Sequence, residues 1–500
     1  MINQKQKRLG AVYTPRRIVD MILDGAGLAN AETLANARIC DPACGDGAFL
    51  TAAAERALNL LPKKDALRTL RRLTGCDINP AAVNECRVQL DALLKKRHPK
   101  ENVNWRLRVC NAFNRSELQN EWGRFTHVVG NPPYIRIQRL EEEGRGLIDG
   151  QWKTMRGAYD SYLLFFELGL ELLREGGTLA YIAPSSWLRS RAGRNLRAML
   201  AQSHAVTRLI DFQDEQAFEG VSTYTAVAFI QKGGETRRIP VHLGGGTLAY
   251  IDIDKADLFR PWTALTPKDK ARMETLKQRG PQLGSVADIH VGIQTLADSV
   301  FILPIEPNAT APTGRAACRT QNETLTLERW ILRPIVKASV MKNGEDPVQR
   351  ALIYPYDPEG RLLPETRIAE KAPAAYAWLK RNKERLLNRD KGKTDPERWH
   401  AFGRSVSILT AFGGKILTSA MNRRPNFQIC ANPNAAFYSG YCVKPKAAVD
   451  TRRLINVLNS DDMEFYIRRI GQPYQNGWMS YAKSYIQTFP VPWSLIRHER

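Results

Sequence analysis

The chain has 500 residues, 43% hydrophobic and 25% charged, which are the proportions of a globular protein and not of a disordered one. A net charge of +22 spread over both halves points to a polyanionic partner, and a chain of this length exceeds what one core usually organises, implying two or three domains. No apolar run of about 18 residues and no secretory apolar segment after Met1-Ile2-Asn3-Gln4-Lys5 is present, which argues against a membrane span and for a cytoplasmic protein.

In chain order, the first strong element is a short apolar strand, Ala37-Arg38-Ile39-Cys40. It runs into the loop Asp41-Pro42-Ala43-Cys44-Gly45-Asp46-Gly47 and then a helical stretch rich in alanine and leucine. Small residues in such a loop let a ligand approach the backbone, as in other α/β nucleotide sites, and they also make a plain tight turn. A second strand ends at Gly75-Cys76-Asp77-Ile78-Asn79-Pro80, which puts an acid where it can hydrogen-bond a ribose diol or simply cap a helix. The eight cysteines form no CxxC pair and no Cys/His cluster with metal spacing, so reduced, mostly buried thiols and no zinc site are expected.

The run Val128-Val129-Gly130 reads as a buried strand that stops abruptly at Asn131-Pro132-Pro133-Tyr134-Ile135. Each proline lacks an N–H donor, and the first restricts the residue before it. In such a turn the Asn131 side-chain oxygen and the Pro132 carbonyl can accept both hydrogens of one planar NH2 group, while Tyr134 offers a π-face to the ring that carries it. Holding both hydrogens out of conjugation draws the nitrogen toward a tetrahedral geometry and makes it a nucleophile. Taken alone, the stretch is equally readable as a strand followed by a proline turn.

Downstream, residues 159–167 begin an amphipathic helix, Glu175-Gly176-Gly177 turns into another buried strand, and Leu209-Ile210-Asp211-Phe212 forms a further strand leading past Phe218 to an apolar run over 223–230. Arg191, Arg194 and Arg197, following Arg189, have a spacing that lines one helix face, and Arg136 and Arg139 trail the proline turn; both groups suit a phosphate backbone. Gly233-Gly234 and Gly244-Gly245-Gly246 mark the end of the first domain, and 247–284 reads as a charged, partly helical bridge.

In this order the motifs closely resemble those of the S-adenosylmethionine-dependent DNA amino-methyltransferases, in the TaqI-like, gamma-class group of adenine-N6 enzymes from restriction-modification systems. The resemblance implies a Rossmann-like, doubly wound α/β methyltransferase domain over 1–245, a linker over 246–284 and an α+β target-recognition domain over 285–500. It is looser in the last part, where 291–303 and 440–485 are similar to the two ends of that domain. The implied cofactor is S-adenosylmethionine, held by Tyr13 and Thr14, by Asp41, Ala43, Gly45 and Gly47, by Asp77 at the ribose, by Asn111 and Phe113 near the adenine, and by Pro133. Asn111 stands where the family usually carries Asp. The implied catalytic residues are Asn131, Pro132, Pro133, Tyr134 and Phe218, the last on the opposite face of the extruded base from Tyr134 or, failing that, an ordinary core residue.

The implied reaction is metal-independent methylation of adenine N6 in double-stranded DNA by base flipping, as the modification enzyme of a type II system. Cytosine-N4 methylation of DNA and glutamine methylation of protein are the alternatives, because enzymes of both kinds use a similar turn. The glutamine enzymes lack a large basic domain after the catalytic core. A restriction endonuclease acting on the same site is the implied partner, and an unpaired regulatory methyltransferase fits equally well.

Overall fold

The computed structural model describes residues 14–135, 146–148, 150–156, 160–203, 205–213, 224–234, 236–254, 257–306, 311–392 and 394–496. Tyr13, Arg136, Arg139, Tyr159 and Phe218 lie outside them. The chain divides into two compact units, Met1–Lys270 and Ala271–Arg500.

Among the described residues the first unit is built on nine strands: β1 (Ile39–Asp41), β2 (Thr74–Asp77), β3 (Arg106–Val109), β4 (Phe125–Gly130), β5 (Leu173–Pro184), β6 (Val206–Asp211), β7 (Thr225–Gln231), β8 (Arg238–Leu243) and β9 (Thr247–Asp252). They lie in the order β3-β2-β1-β4-β5-β7-β6-β8-β9. Neighbours from β3 to β5 are parallel, and β7 inserts antiparallel between β5 and β6. Both faces of the sheet are covered, and β5 makes this visible. Ala180 and Ile182 join a core that includes Ile22 and Leu23 of the helix Arg16–Gly25 and Ala53 of the helix Ala48–Leu60, whereas Leu179, Tyr181 and Ala183 join a second core with Phe166 and Trp187. Alternation with period two sends successive side chains to opposite faces, so a strand clothed on both sides must be apolar throughout; β4 is buried at every position for this reason. This is the doubly wound α/β fold expected from the motifs.

Three expectations need correction. The helix Tyr162–Leu172 is not amphipathic: Tyr162 to Gly169 are all buried, and the Glu167 carboxylate survives there by accepting hydrogen bonds from the backbone N–H groups of Lys153 and Thr154 and from the Thr154 hydroxyl. The stretch read as a linker begins with β9, which pairs antiparallel with β8, and continues to the buried Trp262, whose N–H donates to the Leu188 carbonyl at 2.7 Å. Cys76 and Cys110 are joined as a disulfide rather than reduced. Parallel pairing of β2 with β3 brings their Cα atoms to 5.9 Å, within the range a disulfide spans, although 34 residues separate them in sequence. The other six cysteines are free and buried.

The second unit combines two small four-stranded sheets with helices. One sheet is antiparallel and includes Ala287–Val291 and Tyr441–Pro445; the other includes Ile302–Pro304, Arg350–Ile353, Leu332–Lys337 and Ala436–Tyr438. Its core gathers Phe301, Leu352, Ile353, Leu379 and Phe437. The helix Asp461–Ile470 starts at Ser460, whose hydroxyl accepts from the Met463 N–H, and carries Asp461, Asp462 and Glu464 in its first turn. Among the described residues no helix is long and apolar enough to cross a membrane, and no group of three or more His, Cys, Asp or Glu is arranged to hold a metal ion.

Candidate active site

Strand order reverses between β1 and β4, and ligands of open α/β sheets sit outside the carboxyl ends of strands at such a switch point. Asp41 ends β1, Asp77 ends β2, Asn111 follows β3 by two residues and Asn131 follows β4 directly. Four segments far apart in sequence therefore converge on one edge of the sheet.

The loop after β1 is shaped by glycine. Gly45 and Gly47 have left-handed backbones, with φ of +54° and +96°. A Cβ at Gly47 would lie 2.5 Å from the Cys86 sulfur, whereas one at Gly45 would meet nothing, so the loop is packed behind Gly47 and open over Gly45. The Asp77 carboxylate braces it: the N–H of Gly45 donates to Oδ2 and that of Asn79 to Oδ1, each at 2.9 Å. In the next turn the side-chain oxygen of Asn111 accepts from the Phe113 N–H at 3.0 Å, leaving the amide NH2 as a donor. The Phe113 ring lies edge-on to Phe165 with centroids 6.2 Å apart.

Asp41 is 1% exposed. It accepts from the Ala43 N–H at 3.0 Å and stands against Gly130, where a Cβ would come 2.7 Å from its Oδ1. Burial, reinforced by the neighbouring charge of Asp77, pushes its pKa up to about 8. The folded form thus keeps a proton that the unfolded chain gives up near pH 4, and stability falls as pH rises from about 4 to about 8. Asp41→Asn retains the acceptor for Ala43 and cannot ionise. Its stability, measured by denaturant unfolding at pH 5, 6, 7 and 8, is expected to vary less with pH than that of the wild type; parallel curves would refute the assignment.

The Asn131 side chain is held at both ends. Its Nδ2 donates to the hydroxyl of the buried Thr14 at 3.1 Å, and its Oδ1 accepts from the Tyr134 hydroxyl at 2.6 Å. The Tyr134 hydroxyl also lies 3.4 Å from the Ile182 carbonyl, and its ring is edge-on to Tyr162 at 6.0 Å. The sequence suggested Tyr134 only as a stacking ring; its hydroxyl as a brace for Asn131 emerges from the fold. Ser161 went unnoticed in the sequence. Its hydroxyl donates to the Pro133 carbonyl at 2.5 Å and accepts from the Ile135 N–H at 3.0 Å, locking the proline turn. A lone serine at a helix start carries no signal of a partner nearly 30 residues away.

The structure brings together Thr14, Asp41, Gly45, Gly47, Asp77, Asn111, Asn131 and Tyr134. It sets Arg197 apart from the basic face predicted for it. Arg197 is 1% exposed, and its guanidinium donates to the carbonyls of Trp187, Ser190, Phe259 and Arg260. Arg191 and Arg194 are exposed.

Compared with known proteins, residues 71–218 match the Eco57I restriction-modification methylase family. The chain is 23% identical over 543 aligned positions to the type II methyltransferase M.BstVI of Geobacillus stearothermophilus, an alignment covering 98% of this chain and 91% of the relative. It is 25% identical to the type II methyltransferase M.PaeR7I of Pseudomonas aeruginosa, over 73% of this chain and 70% of that one. Among solved structures, the type IIL restriction-modification enzyme MmeI, determined in complex with DNA, superposes with a TM-score of 0.65 at 13% identity, covering 98% of this chain and 69% of its own. That likeness shows a shared fold. The resemblance to restriction-modification methyltransferases read from the motifs thus rests also on a family match over residues 71–218 and on a relative that aligns along nearly the whole chain.

Proposed function

We propose, for a chain whose residues 71–218 match the Eco57I restriction-modification methylases, that it transfers a methyl group from S-adenosylmethionine to the N6 amine of adenine in double-stranded DNA. One observation carries the reading: an Asn131 side chain clamped between Thr14 and Tyr134 at the carboxyl end of β4, with rigid proline carbonyls beside it.

When bound, S-adenosylmethionine supplies a methyl group on a sulfonium that an amine can attack. The residues present fit this cofactor: the open space over Gly45 admits a ligand to the backbone, and Asp77 and Asn111 offer an acceptor and a donor at successive strand ends. Asp77, after its two backbone bonds, has lone pairs left for the hydroxyls of a ribose. Asp77→Ala is expected to weaken cofactor binding by about 1–3 kcal/mol in calorimetry. An unchanged dissociation constant would show the ribose site to be elsewhere.

The target amine is hidden by pairing and stacking, so the base must leave the duplex. A carbonyl oxygen has two lone pairs; while Tyr134 occupies one on Asn131 Oδ1, the other accepts an amine hydrogen, and the Pro132 carbonyl accepts the second. The brace fixes that oxygen's direction, and positioning of this kind carries the rate. Tyr134 stacks on one face of the base, and Phe218 is assigned to the other. Tyr134→Phe keeps the ring and removes the brace, and it is expected to lower kcat about five- to tenfold with base extrusion intact. Tyr134→Ala should lower both, read by a fluorescent adenine analogue at the target. Equal kcat in wild type and Tyr134→Phe would refute the bracing role.

The positive charge of both halves suits the phosphate backbone, and we assign target recognition to the second unit. In a type II system the counterpart is an endonuclease cutting the same sequence. Single-molecule sequencing of DNA from cells expressing the chain is the test. N6-methyladenine in one recurrent sequence is expected; N4-methylcytosine, or no modified base, would overturn the proposal.

A further inference from the structure

The second unit contains a concavity of about 700 Å³ whose lining includes Gln294, Leu296, Ser299, Arg385, Ser439 and Tyr441. Its rim is rigid. The buried Thr295 donates through its hydroxyl to Asp298 Oδ1 at 2.5 Å and accepts from the Ala297 N–H at 3.0 Å. The buried guanidinium of Arg389 donates to the carbonyls of Thr295 (2.9 Å), Trp399 (2.9 Å) and Ala401 (3.0 Å), tying the rim to the chain behind it.

Two lining residues, Leu296 and Ser439, have left-handed backbones, with φ of +54° and +57°. Neither is glycine, and such conformations persist only where the surroundings over-determine them, most often at binding sites. Leu296 is 44% exposed at this rim, so the arrangement displays a large apolar side chain to solvent. Beside it Arg385, itself exposed, donates through one Nη to the Ser299 hydroxyl at 2.7 Å, which orients the guanidinium. A small three-stranded sheet of Met421–Asn422, Trp478–Ser480 and Pro473–Tyr474, starting one residue after the lining residue Ala420, carries exposed Met421, Tyr474 and Trp478, with the Arg423 guanidinium 5.5 Å over the Trp478 ring. Apolar surface interleaved with fixed cations is the composition of a nucleic-acid face.

We propose that this concavity is where the second unit reads base edges of duplex DNA, with Gln294 and Arg385 as specificity-determining residues and Leu296 as an apolar contact. This rests on the DNA-methyltransferase reading above. A glutamine amide matches the N6 and N7 edge of adenine in the major groove, and an arginine fork matches O6 and N7 of guanine. The hydrogen-bonded rim and the Arg385–Ser299 bond lower the ordering cost on binding.

The test uses full-length Gln294→Ala and Arg385→Ala, with thermal unfolding as the control for folding and single-molecule sequencing of DNA from expressing cells as the readout. Each variant is expected to methylate sites that have become degenerate at one base pair, with discrimination there falling about 10- to 100-fold. A variant too weak to methylate is read by competition between the wild-type site and single-pair mismatches in binding, where the same loss is expected. An unchanged motif in both variants, equal discrimination in competition, or a uniform fall at all sequences with the motif intact would overturn the proposal. A wild type that methylates no DNA would instead overturn the functional reading, and this inference with it.

Discussion

Replacing Asn131 with alanine is expected to abolish methyl transfer, with a loss in kcat of at least about 10²–10³-fold. The side chain is uncharged and held by Thr14 and Tyr134, and the residues proposed for the cofactor ribose and adenine, Asp77 and Asn111, lie at the ends of other strands. Cofactor affinity should accordingly change only a few-fold. The removed group is the acceptor that both orients the reacting amine and draws a hydrogen out of conjugation, so its loss falls on the transition state more than on the ground state. Thr14 and Tyr134 lose a shared partner in the variant. That makes unfolding measurements a necessary companion, with a cost of about 1–3 kcal/mol expected. Single-turnover kinetics with radiolabelled cofactor on a cognate duplex, alongside calorimetry, decides the matter. A variant that binds cofactor normally and transfers methyl at more than a tenth of the wild-type rate would remove Asn131 from the mechanism.

Arg197→Met is expected to be among the most destabilising single changes in the first unit, at roughly 3–5 kcal/mol, because the buried Trp187 carbonyl and three partly buried ones lose their donor at once, at up to about 1–3 kcal/mol each. Those carbonyls belong to two separated stretches, Trp187 and Ser190 on one side and Phe259 and Arg260 on the other. One guanidinium therefore fastens the segment after β9 to the turn after β5. Arg191→Ala and Arg194→Ala, six and three positions away on an exposed surface, should change stability by no more than about 0.5 kcal/mol. If these two arginines touch the DNA backbone, each should flatten the salt dependence of binding by about one unit of slope. Denaturant titrations of the three variants separate the roles. A stable Arg197→Met that also loses a unit of salt slope would restore the basic face read from the sequence and refute the clamp.

The contrast between these arginines shows what could be read in advance. Residues 37–50, 74–80 and 128–135 are each contiguous: a strand, the turn that ends it, and the chemistry in that turn all lie within a few positions. Strand ends at a switch point are where an open α/β sheet presents its site, and the motifs at those ends, through the resemblance they carry, implied the doubly wound fold and made Asp41, Gly45, Asp77 and Asn131 candidate site residues. Helical spacing likewise suggested Arg191, Arg194 and Arg197 on one helix, although the helix begins at Arg194 and Arg191 precedes it. Spacing is blind to what packs against that helix, and the carbonyls of Phe259 and Arg260, some 60 residues away, take up the buried guanidinium of the third arginine. The Tyr134 hydroxyl on Asn131, Ser161 on the proline turn, the Cys76–Cys110 pairing and the rim held by Arg389 are of the same kind. Each joins residues whose proximity is created by sheet register or long-range packing, and such contacts leave no period or motif in the chain. Local propensity and periodicity determined the elements and the chemistry at their ends; burial and pairing across the chain, decided only when the units close, chose which polar side chains face the site and which hold the structure together.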